Sequence, residues 1–543
     1  MNLKNLSQNL QRARKKLLDP TFENAQLWIE SDVLLPTALE SLNELMEREA
    51  WDELNNRFYK KIELGTAGMR GRTIGQTVTR FEKTGKEYLH PAVGSAYLNE
   101  YNVIWATVGL YRYCREHLEH DTEFFQRPRL VVAHDTRYFS RYFCEYVAST
   151  WVKLGGDVYI FDGPRSTPQL SFSVRYLKTV AGIMITASHN PFHDNGYKIY
   201  FKDGAQVCGP HGKGIMRTIQ RVHLSEIKPF LQKNLEDVNV LSPMLDQSYI
   251  ECVKEVILDE KCLKFHKPKI VFTPLHGTGA ITVVPLLRQL EWNVTCVEKQ
   301  MIQDPDFPSV PLPNPEYPEV FKLGIKQADA IDSSVVLATD PDADRMGVAV
   351  KDETGTWITL NGNTIAVLLA DYRVKTMVLE KWLPLHKAKP RFSAAIIKSF
   401  VTTPMLDTIA KAYRLKVVDT LTGFKWIGAK LAEYEAKMWG AVRRTTGMAI
   451  DYDKTSVKQR KRFHLRHGCF CVFGGEESHG YLANDRVRDK DANASVLMFC
   501  ELLSFLKAQE ISLLDHLDSL YHEYGYFAED LIALQYEGAA GVQ

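Results

Sequence analysis

The chain has 543 residues, 45% hydrophobic and 24% charged, with 67 Lys+Arg against 66 Asp+Glu and a formal net charge of +1. That length exceeds what one hydrophobic core organises, so three or four domains are expected, with the composition of a globular enzyme. Near-neutral charge gives no global field for nucleic acid, and no apolar run reaches membrane-spanning length. The nine cysteines are scattered and odd in number, which argues for a reducing compartment rather than a disulfide framework.

Up to Leu18 the chain carries Lys4, Arg12, Arg14, Lys15 and Lys16 with no acid, a pattern shared by transit peptides and solvated basic helices. The acidic helical stretch that starts at Asp19-Pro20 favours the helix, and a cytoplasmic protein is expected. Strand and helix signals then alternate, as in a set of α/β domains. Arg129–Asp135 reads as a strand, Phe139–Leu154 as a helix and Val158–Phe161 as a second strand. Ala181–Ile185 is a buried strand leading into Thr186-Ala187-Ser188-His189-Asn190-Pro191. The unit recurs at Lys269–Thr273, a helix near Val283–Leu290 and Asn293–Val297, followed by a Pro-rich surface loop, Asp304–Pro318. It recurs again at Ser393–Ile397, Pro404–Tyr413 and Lys416–Val418. The polar, basic stretch Arg443–His467 reads as a loop or insertion. Cys469 and Cys471 read as strand residues rather than metal ligands. Helices are expected over Ala492–Gln509 and Ser512–Tyr524.

Six motifs stand out. Ser188 sits beside an imidazole on a tight turn at the carboxyl end of a strand, where open α/β sheets place their chemistry. A serine there needs a base or a metal to react. Asp340-Pro341-Asp342-Ala343-Asp344-Arg345 follows the apolar strand Val335–Ala338. As alternate residues of an extended segment its three carboxylates point the same way and can converge on a hard cation, and the apolar strand before them makes a solvated acidic turn the weaker reading. Gly65-Thr66-Ala67-Gly68-Met69-Arg70-Gly71 is either a phosphate grip through Arg70 or a plain glycine turn. Gly474-Gly475-Glu476-Glu477-Ser478-His479-Gly480 suits vicinal sugar hydroxyls, and a helix N-cap would use the same residue types. Leu421-Thr422-Gly423-Phe424-Lys425-Trp426 either cradles a ligand or turns into a helix. Thr273–Gly279 resembles a phosphate loop, with strand-to-helix packing the favoured reading.

As an ordered set, from about Gly65 onward, these motifs resemble the α-D-phosphohexomutases, which include phosphoglucomutases, phosphomannomutases and related phosphopentomutases. The resemblance implies an α/β fold of three similar mixed α/β domains around a central cleft plus an incomplete fourth α+β domain. The expected divisions are 1–230, 231–360, 361–505 and 506–543. It implies phosphorylation of Ser188, with Asp340, Asp342, Asp344 and the serine phosphate holding Mg²⁺. It places Arg70, His189 and Lys198 around the transferring phosphate and Lys490 as general acid/base. Arg345, Thr422, Gly423 and Lys425 line the substrate cleft, and Glu476 and Ser478 read the sugar hydroxyls.

The implied activity is a phosphosugar mutase, first of all on glucose phosphate, primed by a glucose 1,6-bisphosphate-type activator. The protein is expected to act as a monomer on a small phosphosugar, without nucleic acid or membrane. Phosphopentomutase and phosphomannomutase are the alternatives within the family. The family also carries a fourth-domain loop of the Arg-x-Ser-Gly-Thr-Glu type for the second phosphate, and no such loop follows Asp491. A weak mutase, or a sugar-phosphate binder, is therefore a further alternative.

Overall fold

The computed structural model describes residues 3–62, 65, 68–118, 127–292, 294–383, 393–447, 451–532 and 534. Thr66, Ala67, Asn293, residues 448–450 and Gln543 lie outside the described residues. Three mixed sheets organise the chain. The first has the order Met69–Arg72, Asp194–Phe201, Ala181–Ile185, Arg129–His134, Asp157–Ile160, Asn239–Val240. The second runs Val294–Cys296, Ile270–Thr273, Val335–Thr339, Met346–Lys351, Trp357–Leu360. The third runs Lys416–Thr420, Ala394–Ser399, Phe470–Glu476, Gly480–Leu482.

The sheets share one device. A buried strand in parallel pairing (Ala181–Ile185, Val335–Thr339 or Phe470–Glu476) turns back through a hairpin into an antiparallel neighbour. The three hairpins contain Ser188, the aspartate triplet and the Glu476–His479 loop. Parallel strands covered on both faces read as continuous apolar runs, and Ala181–Ile185 and Val335–Thr339 are buried at every position. The repeated architecture inferred from the sequence is thus a repeated placement of functional loops at strand carboxyl ends.

One hydrophobic core runs through all three units, from Val131, Leu170 and Met184 of the first into the second and third, and is threaded by the helix Ala492–Ala508, which packs against Gly279–Gln289, Glu260–Phe265 and Met244–Lys254. Leu513–Tyr524 packs on Met405–Ala412 and on Ala492–Ala508. The other large core joins the first unit to the four N-terminal helices, Leu3–Ala13, Asp19–Glu30, Pro36–Glu47 and Trp51–Phe58. The basic N-terminal stretch is an amphipathic helix: Leu6, Leu10 and Ala13 are buried at helical spacing. Among the described residues, no helix is long and apolar enough to cross a membrane.

Two local expectations are corrected. Arg443–His467 is mainly helical, since Lys425–Thr446 runs into it and Val457–His467 forms a second helix. Met438, Val442 and Tyr452 bury a small apolar seam with Trp439 and Phe463, which the polar composition hides. The aspartate triplet is a turn rather than an extended segment. Ala343 has φ 51°, and the amides of Asp344 and Arg345 both donate to Asp340 Oδ1, at 3.0 and 2.9 Å. The carboxylates converge because the turn wraps around Asp340.

Candidate active site

Ser188 is 2% exposed and adopts φ 53°, a left-handed conformation that non-glycine residues enter only where the surroundings hold them. The surroundings are specific. Thr186 Oγ1 accepts from the Ser188 amide at 2.8 Å and donates to buried Asp135 at 2.5 Å. Arg137 lies behind the loop with its side chain fully buried, paired with Asp135 at 3.3 Å. Its guanidinium donates to the carbonyls of Ser188, Asn190, Pro191 and Asp194 at 2.5, 2.5, 2.7 and 3.2 Å. The loop's acceptors are therefore turned onto one cation behind it. The Ser188 hydroxyl donates to Asp340 Oδ2 at 2.6 Å and lies 3.1 Å from His189 Nδ1. Burial pushes the His189 imidazole well below its ordinary range, helped by the Arg345 and Arg70 cations. The ring is consequently neutral at physiological pH.

Asp340, Asp342 and Asp344 are all buried, with a carboxylate oxygen of each within 4.8 Å of the others. Burial, then the two neighbouring carboxylates, raises Asp340 well above the ordinary range. Burial would raise Asp342 as well, but the Lys198 ammonium at 2.9 Å outweighs it and holds the group low. Lys198 also reaches Asp344 at 3.4 Å, and Lys490 reaches Asp344 at 3.3 Å. Burial disfavours both charged lysines, yet the carboxylates win and raise both. Oδ1 of Asp342 and Oδ1 of Asp344 are buried without a hydrogen-bond partner. Buried carboxylate oxygens left open in a converging cluster are the donor set of a hard divalent cation. The residues fit a metal.

Arg70 and the Glu476–His479 loop flank this centre. Arg70 lies on Met69–Arg72 and donates to Asn190 Oδ1 at 3.0 Å. Gly68, at φ 96°, lets that strand approach the Tyr197 carbonyl, which a Cβ would meet at 2.5 Å. Arg345 pairs with Glu316 at 2.5 Å, at the end of the Pro-rich loop. Glu476 accepts from the Gly423 amide at 2.7 Å, joining two of the predicted loops. Burial raises Glu476, against the pull of Lys490. Ser478 is half-buried and Thr422 exposed. Lys425 opens the helix Lys425–Thr446 with its ammonium 5.4 Å from the Trp426 ring. Burial lowers Lys425. Among the described residues, no hydrogen bond joins Lys425 or Thr422 to the serine or the aspartates. The Thr273–Gly279 turn braces the metal loop: Thr278 donates to the Pro341 carbonyl from its amide and its hydroxyl, at 2.8 and 2.9 Å.

Several neighbours of the site were not singled out from the sequence. Arg137 and Asp135 are two, and Asp-x-Arg after a strand was a visible signal. Tyr200 donates to Asp489 at 2.6 Å and Tyr249 to Asp491 at 2.9 Å, so Lys490 is flanked by aspartates held from the other two units. His479 ties the Glu476–His479 loop to the strand that follows the aspartate turn. Its carbonyl accepts from the Met346 amide at 3.0 Å, and its Nδ1 lies 3.1 Å from the Met346 carbonyl. No sequence signal marks these long-range pairings.

This constellation agrees with comparisons to known proteins. Residues 61–226, 247–355 and 361–441 with 459–524 match phosphoglucomutase/phosphomannomutase α/β/α domains I, II and III respectively. The chain belongs to this family, the α-D-phosphohexomutases. It is 32% identical to human phosphopentomutase over 503 residues, covering 90% of this chain and 72% of that protein. It is 30% identical to a phosphoglucomutase from Staphylococcus saprophyticus, covering 93% and 81%. The fold is shared with the crystal structure of a phosphoglucomutase/phosphomannomutase family protein from Burkholderia thailandensis. The TM-score there is 0.53 at 19% identity, over 77% of this chain and 76% of that one. The chain is thus a phosphosugar mutase of this superfamily, an intramolecular phosphotransferase, with a buried aspartate cluster of the kind that binds metal.

Proposed function

We propose that the protein is a Mg²⁺-dependent mutase that interconverts hexose 1-phosphate and 6-phosphate, glucose first, through a phosphoserine at Ser188 and a sugar bisphosphate. One observation carries this reading: the Ser188 hydroxyl lies 2.6 Å from Asp340 inside a buried triad that also engages Lys198 and Lys490. Asp340, Asp342, Asp344 and the serine phosphate would hold Mg²⁺, which neutralises phosphoryl charge when bound.

The chain's own groups do the rest. Arg137 fixes the loop so that Ser188 presents its oxygen to the cleft. Arg70 and Lys198 grip the transferring phosphoryl group, a transfer governed by positioning and electrostatics. As the phosphoryl bond to Ser188 breaks, the sugar hydroxyl forms the new one and gives up its proton. The Lys490 ammonium gives a proton to the departing serine oxygen and takes up the one released by the sugar hydroxyl. Glu476 and Ser478 hold the sugar hydroxyls in either orientation of the bisphosphate, with Arg345, Gly423, Thr422 and Lys425 along the cleft wall. A glucose 1,6-bisphosphate-type activator loads the serine. In this reading the loops come from domains spanning 1–230, 231–360 and 361–505, with 506–543 beginning a fourth, and the enzyme works as a cytoplasmic monomer.

The phosphopentomutase reading stands second, supported by the 32% identity to the human enzyme of that name. Coupled assays on glucose-, mannose- and ribose-1-phosphate with a bisphosphate primer, alongside intact-mass analysis, test both. Phosphate on Ser188, loss of turnover in Ser188→Ala and preference for glucose 1-phosphate are expected. Preference for ribose 1-phosphate would select the second reading. Full turnover in Ser188→Ala would remove both.

A further inference from the structure

Domain III of the family matches this chain on either side of residues 442–458 and not across them. Two residues of that stretch, Tyr452 and Asp453, enter a polar network that joins all three units. Asp453 accepts from Arg175 Nε at 3.0 Å and from its Nη2 at 3.1 Å. Two parallel bonds of this kind fix an arginine in direction as well as in place. Glu435 accepts from the same Nη2 at 3.1 Å and also from Arg488. The Tyr452 ring faces three guanidinium groups, with Arg175, Arg460 and Arg488 at 5.4, 5.5 and 5.9 Å from its centroid. Its hydroxyl donates to Asp485 at 2.6 Å. Arg460 and Arg486 reach Glu255 of the second unit at 2.7 and 3.0 Å. Four arginines thus meet four carboxylates, Glu255, Glu435, Asp453 and Asp485, and the network is balanced in charge.

Arg175 connects this network to the site. It is the penultimate residue of the helix Thr167–Tyr176, which is buried from Thr167 through Arg175. At the other end, about 12 Å away along the axis, Thr167 bonds the metal loop. Its amide donates to the Asp342 carbonyl at 2.9 Å and its hydroxyl to Asp342 Oδ2 at 2.7 Å. Oδ1 of that carboxylate is one of the open oxygens of the cluster. Midway along the helix, Ser171 Oγ accepts from the Arg488 amide at 2.8 Å. A short helix packed on all sides transmits displacement instead of absorbing it. Whatever fixes Arg175 therefore also fixes Thr167. Asp453 reaches the network from the surface, its side chain 30% exposed against 6% for Arg175, so it can be altered without opening the core.

We propose that Asp453 is a positioning residue for phosphoryl transfer: by fixing Arg175 it sets the helix Thr167–Tyr176, and with it the hold of Thr167 on Asp342. The inference rests on the mutase reading and gives a role at the reacting centre to a segment outside the family's domain III match.

The test compares variants of the full chain. Asp453→Asn should lose about tenfold in kcat with KM for the preferred sugar phosphate within about twofold. Its Mg²⁺ affinity, read by titration calorimetry, should fall about tenfold, as for groups that orient a ligating carboxylate. Asp453→Glu should recover most of both losses. Tyr452→Phe removes a buried hydroxyl from the same network but leaves both bonds between Asp453 and Arg175. It should lower the thermal unfolding midpoint and keep kcat within about twofold. In a Thr167→Val background, where the helix has already lost its side-chain bond to Asp342, Asp453→Asn should cost less than about twofold further. Parental kcat and Mg²⁺ affinity in Asp453→Asn would overturn the inference, as would an equal loss of kcat in Tyr452→Phe or losses that multiply independently with Thr167→Val. Each of these outcomes would make the network a device for stability alone. Phosphate on Ser188 and turnover in the unmodified chain keep the mutase reading standing whichever way the variants fall, and an unmodified chain with neither removes both.

Discussion

Ser188 and Asp340 belong to different sheets, yet the serine hydroxyl donates to the Asp340 carboxylate at 2.6 Å. The contact joins two equivalent hairpins, each following a buried strand in parallel pairing. Neither loop completes the site alone. The serine brings the oxygen that would carry phosphate, and the aspartates bring the open carboxylate oxygens. The lysines come from elsewhere again, Lys198 from the first sheet and Lys490 from the segment that precedes the helix Ala492–Ala508.

Asp342→Asn tests the metal. Asp342 is held low by Lys198 and accepts from Thr167 at 2.7 Å, so its carboxylate is charged at neutral pH. Replacing it should weaken divalent-cation binding, read by titration calorimetry, by on the order of 10–100-fold. Turnover should fall at least as far. Undiminished activity of the unmodified chain in excess EDTA would contradict the assignment.

Arg137 tests the scaffold behind the serine. Arg137→Ala leaves Asp135 buried without its cation, which typically costs about 3–5 kcal/mol. Arg137→Lys keeps the charge but cannot reach four carbonyls at once. The lysine variant should fold, keep KM for the sugar phosphate within about threefold and lose kcat, because the serine and not the sugar site is displaced. A parallel rise in KM with unchanged kcat would show that Arg137 supports substrate binding instead.

Gly362→Ala probes the seat of the Glu476–His479 loop and its proposed role in sugar binding. A Cβ at Gly362 would lie 1.9 Å from the Glu477 carbonyl oxygen, a backbone atom that yields only if the loop moves. Crowding of this kind costs roughly 1–3 kcal/mol. Since Glu477 adjoins Glu476 and Ser478, KM should rise while cation binding at the aspartates stays unchanged. Unaltered KM in steady-state assays would separate this loop from sugar recognition.

The architecture was legible because its signals are local. Buried parallel strands such as Ala181–Ile185 read as apolar runs, and the loops at their ends combine hydroxyl, carboxylate and glycine in short order. What the sequence hid depends on distance or on backbone shape. The convergence of Asp340, Asp342 and Asp344 comes from a turn with Ala343 at φ 51°, which no propensity of alanine announces. The bonds of Tyr200 and Tyr249 to Asp489 and Asp491, on either side of Lys490, span hundreds of residues. The helix Val457–His467 looked like a loop because its composition is basic, and only Arg460 and His464 among its residues are buried.

Glu100 provides a last test, of stability rather than catalysis. It opens the helix Glu100–Leu118 with its carboxyl 5% exposed as a residue and Oε2 without a partner. Burial pushes its pKa from 4.5 to about 7. The folded state therefore binds more protons than the unfolded chain between about pH 4.5 and 7. Stability contributed by the neutral carboxyl is complete below pH 4.5 and is lost as pH rises through 7. A shift of that size corresponds to about 3 kcal/mol. Glu100→Gln removes the titration. Denaturant unfolding of both proteins should show the variant gaining about 3 kcal/mol relative to the parent between pH 4.5 and pH 7.5. Parallel stability curves across that window would mean that Glu100 finds a charge partner when ionised.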